Sequence, residues 1–246
     1  MVYPIYKNKH LEEALFNPVD YINYKKIKNK KLPKRFILIY DTGLERRIKV
    51  RHKLKKLNNV THLGQIYFLK DVGILRINGI GSPHAVTILE ELIALGVKEF
   101  ISVGTAGGLK REGFFLCDKA LRDEGTSYHY ISHGKFSYPD QQLTTKFGNS
   151  MNKLGLPFEK APTWTIDAPY RETKREIKNY TKNGVATVEM EASALFAVAT
   201  VRKVKIASAF VVSDILGEKW NPKFHHINLK KNLDLLFEAA VDAFGD

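Results

Sequence analysis

GILRINGIGSPHAVTILEELIALGVKEFISVGTAGGL, residues 73–109, is the stretch whose reading decides the fold. GILRING (73–79) has the make-up of a strand and runs into the glycine-punctuated turn Gly79-Ile80-Gly81-Ser82-Pro83. AVTILEELIALG (85–96) spaces its apolar residues at helical intervals, and Pro83 suits a first helical turn. EFISV (99–103) is an apolar run of strand length, followed by a second glycine-rich turn, GTAGGL (104–109). Strand, helix and strand in this order make the chain α/β.

The same alternation extends in both directions. Upstream, FILIYD (36–41) and GQIYFLKD (64–71) read as strands. Downstream come an apolar run near FFLCDKAL, a polar loop candidate over 122–140, a helix at 141–154 and a strand near 157–165. A charged helix is expected after Pro169, then a helix over VEMEASALFAVATVRK (188–203), a strand over VKIASAFVVSD (204–214) and a last helix from about 226 to 244. No internal repeat or Pro/Ser-rich linker interrupts the series. The expectation is one domain over 35–246, with residues 1–34 as a basic N-terminal extension of it.

The 246 residues are 44% hydrophobic and 26% charged, which suits a globular protein. No stretch reaches the roughly 18 apolar residues of a membrane span, and MVYPIYKNKHLEEA lacks the apolar core of a signal peptide, so a cytoplasmic protein without a membrane partner is expected. The single cysteine, Cys117, rules out an intrachain disulfide and any multi-cysteine metal site. His129, His133, His225 and His226 have neither accompanying cysteines nor helical i, i+4 spacing, so no metal is expected. Net charge is +13, and residues 1–60 hold 16 of the 39 basic residues against 5 of the 26 acidic ones. A solvated surface or a field that draws in small anions accounts for this; without an RNA-binding aromatic signature, nucleic acid is disfavoured as a partner.

Four segments could carry chemistry. Gly81 and Ser82 precede a helix, where backbone N–H groups and the helix dipole can hold an anion or a ribosyl oxygen. Thr105, Ala106 and Gly107 sit at the carboxyl end of a buried strand, the usual rim of an α/β pocket. Glu189-Met190-Glu191 is expected to open an apolar helix, so that at most one carboxylate faces inward; the bland alternative is that both favour the helix N-terminus electrostatically. Asp214 ends the apolar run SAFVVSD and brings a carboxyl group to the same edge, as a general acid or merely as a turn residue.

In this order and spacing, GIGS (79–82), VGTAGGL (103–109), VEMEA (188–192) and VVSD (211–214) resemble the nucleoside phosphorylase family, which includes purine nucleoside phosphorylases, uridine phosphorylases and related nucleosidases. The resemblance covers roughly residues 35–240. It implies a mixed central β-sheet flanked by helices, assembled as a homo-oligomer, either a dimer or a trimer of dimers. It also implies cleavage of an N-glycosidic bond without metal or organic cofactor, with a nucleoside and inorganic phosphate as partners and phosphate as co-substrate. Glu191 would bind the ribose hydroxyls, helped by Met190 and Glu189, and Asp214 would donate a proton or hydrogen bond to a departing purine. Gly81, Ser82 and Thr105 would face phosphate, Ala106 and Gly107 the base, and Tyr170, in TWTIDAPYRE, would form the base wall. His10 is the candidate for a histidine lent to a neighbour's ribose.

Two arginine positions of the family depart here: Ser102 stands before the VG of the second turn, and YDTGLERR (40–47) replaces a GDP-x-R segment, with Leu44 at the arginine. Arg46 or Arg47 is the expected substitute for binding phosphate. Asp214, where uridine phosphorylases carry arginine, favours purines, while RDEGTSYHY (122–130) is closer to uridine phosphorylases. The leading expectation is a phosphorylase giving free base and ribose 1-phosphate. The alternatives are a nucleosidase using water and a non-catalytic nucleoside- or polyanion-binding relative.

Overall fold

The computed structural model describes residues 3–27, 32–57 and 64–245. Strand β1 (Arg35–Ile39) is the first of the parallel centre. It pairs in parallel with β4 (Val72–Arg76) on one side and with β5 (Glu99–Gly108) on the other. β2 (Lys55–Leu57) and β3 (Ile66–Leu69) extend the β4 side as antiparallel strands. Beyond β5 the sheet curls. β10 (Lys205–Leu216) is parallel to β5 and antiparallel to β6 (Phe114–Asp123); β6 is parallel to β8 (Phe158–Ile166), β8 to β9 (Thr187–Glu189), and β9 returns antiparallel to β5. These five strands therefore pair in a closed ring, from which the other strands extend as an arm. Short strands β7 (Phe136–Ser137) and β11 (Trp220–Pro222) add to β6 and β10.

Alternation along β1 sorts the core into two layers, because successive strand side chains point to opposite faces. Phe36 and Leu38 pack with α3 (Ser82–Ala94) and α6 (Ala192–Arg202). Ile37 and Ile39 pack with Leu44 and Ile48 of α2 (Thr42–His52), Phe147 of α4 (Gln141–Lys153) and Phe237 of α7 (Ile227–Ala243). The expected mixed sheet flanked by helices is what the chain forms. Among the described residues no helix is long and apolar enough to cross a membrane.

Two expectations change, and one helix was not anticipated. The turn expected at GTAGGL is the continuation of β5, because its glycines are needed for close strand packing and not for reversal. A Cβ on Gly107 would lie 2.3 Å from Leu216 Cδ1 and 3.0 Å from Val188 Cγ1, and one on Gly108 would lie 2.5 Å from the Arg111 carbonyl oxygen. The helix expected from 188 begins only at Ala192, since residues 187–189 are drawn into the ring as β9. The basic stretch after β1 is helical over 42–52: Asp41 caps it at Leu44 N–H, and Leu44, Glu45 and Ile48 are buried among its cations. Before and after it, α1 (Pro18–Tyr24) and α5 (Lys174–Lys182) are each closed at the N-terminus by a capping box, Asn17 with Asp20 and Thr173 with Glu176.

Candidate active site

The carboxyl end of β5 has a neighbour on each side. Gly107 is in register with Val188 of β9 and with Asp214 of β10, where a bulge between Val212 and Asp214 shifts the pairing. Inter-strand spacing then places residues 188 and 214 about 10 Å apart across the glycine. Chain from the β9 side supplies Glu189, Met190 and Glu191; β10 supplies Asp214. Thr105 and Ala106 lie on β5 beside Val211 and Val212.

Glu189 is buried and fully engaged. One oxygen accepts from the backbone N–H groups of Glu191 and Ala192 at 2.8 and 2.7 Å, and the other lies 2.5 Å from Thr165 Oγ1. It thus caps α6, while burial and the charge of Glu191 push its carboxyl up to about 8. Glu191 is half-buried and accepts from Gly81 N–H at 2.6 Å. Gly81 caps α3 with φ +99°, a backbone only glycine adopts without strain, so this donor is aimed by the residue type. Burial also raises the Glu191 carboxyl, backbone hydrogen bonds from Gly81 and Met190 oppose that, and Asp167 adds to it. Both carboxylates therefore face the same junction, where at most one was expected. The buried Ser82 hydroxyl donates to the Met190 carbonyl at 2.7 Å, which locks α3 to the 189–191 turn and commits this hydroxyl to the protein.

Asp214 is 8% exposed and accepts twice, from Ser213 Oγ at 2.8 Å and from Trp220 Nε1 at 2.8 Å. Its second oxygen is 3.6 Å from where a Cβ of Gly107 would stand. Asp214 is interior to β10, which runs on to Leu216, rather than at its end. Glu172, in the segment expected to form the base wall, is pushed up to about 7 by burial, by the charge of Asp214 and by Glu176.

Several expected residues lie elsewhere. Tyr170 is 99% exposed, because the chain turns outward in a 3-10 turn at Pro169–Arg171. Arg47 donates to Asp234 at 2.7 Å and to the Lys230 carbonyl at 3.3 Å, both on α7, and Arg46 is exposed. Leu44 is fully buried in the core. His10, expected to serve a neighbour's ribose rather than its own chain's, stands in a 3-10 turn at Lys9–Leu11 and lines a cavity of about 410 Å³ with Ile93, Tyr130 and Arg202. In RDEGTSYHY, Glu124 accepts from Ser193 Oγ at 2.8 Å and Arg122 donates to Ser127 Oγ at 2.8 Å, so that segment braces α6.

Sequence reading missed Tyr40, Glu172 and Trp220. Tyr40 is half-buried at the end of β1, its hydroxyl 3.1 Å from Ser102 Oγ and its ring beside Gly104, whose Cβ would stand 3.3 Å from Tyr40 Cδ2. Burial and the charges of Glu191 and Glu189 hold its phenol well above the usual value. Its position directly after an apolar strand was the same signal that exposed Asp214.

The family model of the phosphorylase superfamily matches residues 35–244. The chain belongs to this superfamily. Among its relatives are purine nucleoside phosphorylases of two malaria parasites. That of Plasmodium falciparum is 29% identical over 175 residues, 68% of this chain and 71% of the relative. That of Plasmodium vivax is 28% identical over 151 residues, 58% of this chain and 61% of the relative, so the match spans about three fifths of that enzyme. In structure, the superfamily fold is shared with an AMP nucleosidase from Bacteroides thetaiotaomicron (TM-score 0.75, 18% identity, 94% of this chain and 99% of the other). It is shared equally with a purine nucleoside phosphorylase from Toxoplasma gondii (TM-score 0.75, 16% identity, 89% and 94%).

Proposed function

We propose that the protein cleaves the N-glycosidic bond of a purine nucleoside and releases the free base. The observation that carries this is the placement of the 189–191 turn at the end of β9, on one side of β5, and of Asp214 on β10, on the other, with Glu191 held by Gly81 N–H at the N-terminus of α3 and Asp214 by Trp220. Glu191 suits a pair of ribose hydroxyls, and its carboxylate favours the positive charge that grows on the sugar as the bond breaks, while Glu189 holds the turn in place. Asp214 and Glu172 meet the base from the other side. The Glu172 carboxyl, pushed up to about 7, is a proton source for the departing purine near neutral pH. The purine nucleoside phosphorylases among the relatives support the purine assignment over a pyrimidine one.

Phosphorolysis to ribose 1-phosphate is the reaction that the family resemblance implies. Hydrolysis is the second reading, and the placement of Arg47 on α7 favours it. The test is release of base from inosine, adenosine, guanosine, methylthioadenosine and uridine, each with and without phosphate. Purine release with no uracil release is expected; uracil release alone would overturn the proposal.

A further inference from the structure

Strand β11 folds back on the end of β10 with Leu216 opposite Trp220 and Asp214 opposite Pro222, so these four side chains share one face of the hairpin. That face is turned to β5. Leu216 packs against the bare Cα of Gly107, and Asp214 Oδ2 lies 3.6 Å from where a Cβ of Gly107 would stand. The indole Nε1 of Trp220 donates to that same Oδ2 at 2.8 Å, while Asp214 Oδ1 accepts from Ser213 Oγ at 2.8 Å. The edge of the indole is thus one carboxylate oxygen away from the glycine-rich strand, and its N–H fixes the direction of the carboxylate. The rest of the ring is uncovered. Trp220 is 63% exposed, and Phe224, its ring neighbour among the described residues, is tilted by 51° with centroids 6.2 Å apart and does not lie flat on it. The other tryptophan shows the contrast: Trp164 is fully buried, with Nε1 on Asp123 and its ring against Tyr180. Trp220 therefore spends its polar end on Asp214 and keeps a large apolar face in water, although an aromatic face gains most from being covered. Tyr170, expected as the base wall, turns outward and leaves that place to another ring. A purine that brings an edge within hydrogen-bond reach of Asp214 has its rings near this indole, at the roughly 4.5–7 Å between centroids where offset or edge-to-face aromatic pairs form.

We infer that Trp220 is the specificity-determining residue of the base side: its ring is the wall against which the purine packs, and its N–H positions Asp214 to meet the purine edge. This rests on the proposed N-glycosidic cleavage. A two-ring base covers more of an indole than a one-ring base does, so the wall adds to a preference for purines. The wall is carried by a hairpin whose connecting residues 217–219 are all exposed, so it is set by the Asp214 hydrogen bond and the β10–β11 pairing rather than by the core. The two tasks belong to different parts of one side chain and separate on substitution: phenylalanine keeps a ring and loses the N–H, and leucine loses both.

The experiment has two arms on the full chain. Trp164 and Trp220 are its two tryptophans, and because Trp164 is buried, the emission that acrylamide can quench belongs to Trp220. In the first arm adenine and hypoxanthine are titrated into the parent. The expected result is a saturable change in tryptophan emission together with a loss of acrylamide access; unchanged emission and access overturn the inference. In the second arm, inosine and adenosine cleavage is compared in the parent, Trp220→Phe and Trp220→Leu. Trp220→Phe should keep KM within about 3-fold of the parent while kcat falls about 10-fold, because the ring stays and Asp214 loses its donor. Trp220→Leu should in addition raise KM about 10-fold or more, the worth of a base–aromatic contact. An unchanged KM in Trp220→Leu, or the same rise in KM in both variants, overturns the inference. Were no nucleoside cleaved by the parent, the proposed function would fall, while the titration with free base would still decide whether Trp220 meets a purine. Should a variant not fold, the titration of the parent decides by itself.

Discussion

Glu189→Gln asks whether the carboxyl at the start of α6 keeps its proton when the protein folds. One oxygen of Glu189 takes two backbone N–H groups and the other meets Thr165 Oγ1. A glutamine can copy the protonated acid here, its carbonyl accepting from the backbone and its amide donating to Thr165 as the acid's O–H would, whereas an ionised Glu189 accepts from Thr165 Oγ1. Burial and Glu191 raise the Glu189 carboxyl from 4.5 to about 8. Between those values the unfolded chain has released a proton that the folded chain retains, so folding stability falls as pH rises through that window. At about 1.4 kcal/mol per pKa unit the window amounts to at most about 5 kcal/mol, and to a few kcal/mol once Glu191 shares the proton. The variant has no such titration. Urea unfolding followed by tryptophan fluorescence should therefore find parent and variant within about 1 kcal/mol near pH 5, and the variant more stable by about 2–4 kcal/mol near pH 9. Parallel pH dependences in the two proteins, or a loss of several kcal/mol by the variant at the acid end, would refute the reasoning, because Glu189 would then cap α6 as a carboxylate.

Other perturbations separate the two ends of the pocket. Asp214→Asn should lower kcat for a purine nucleoside by about 10²-fold with a smaller change in KM, while Glu191→Gln should impair both, as steady-state kinetics would show. Equal activity of parent and Asp214→Asn would remove the base-side role. Because the Glu172 carboxyl sits at about 7, protonated below that and ionised above, base release should decline on the alkaline side. Glu172→Gln should abolish that limb of the pH–rate profile. Arg47→Leu should change stability by about 1 kcal/mol or less in chemical unfolding and leave phosphate dependence untouched, since its partner Asp234 lies on α7 and the pair is partly solvated.

How much of this was legible follows from which signals are local. The strand–helix–strand unit of 73–109 and the strand at 204–214 announce themselves through apolar periodicity, and the bounds of β1, α4 and α7 fall within a few residues of expectation. α2 did not, because Arg46, Arg47, Lys49 and Arg51 surround its three buried positions and hide the apolar stripe. Gly104, Gly107 and Gly108 carry no side chain to alternate, so their strand character was invisible until β9 and β10 closed on them. VEMEA was found, but its two carboxylates were expected on a helix, where residues two apart diverge. A strand end followed by a cap instead turns both inward. Trp220 reaches Asp214 through a hairpin, and a 3-10 turn brings Glu172 within the field of Asp214, arrangements that no motif in the sequence announces. The partner of Arg47 was not legible either, since Asp234 lies on a helix almost two hundred residues away.

The closed ring of β5, β10, β6, β8 and β9 also governs the order in which the molecule can mature. Its last member, residues 205–216, bridges β5 and β6, and both were synthesised about a hundred residues earlier. A nascent chain can form the arm of β1, β3 and β4 and the helix α3 while the ring is still open, but Asp214 has no place beside Gly107 until β10 arrives. Such distant pairings are slow to close. The pocket is consequently among the last features to be completed during biosynthesis, and any shortened product that stops before β10 would carry the glycine-rich strand, the Glu191 turn and Glu172 without Asp214.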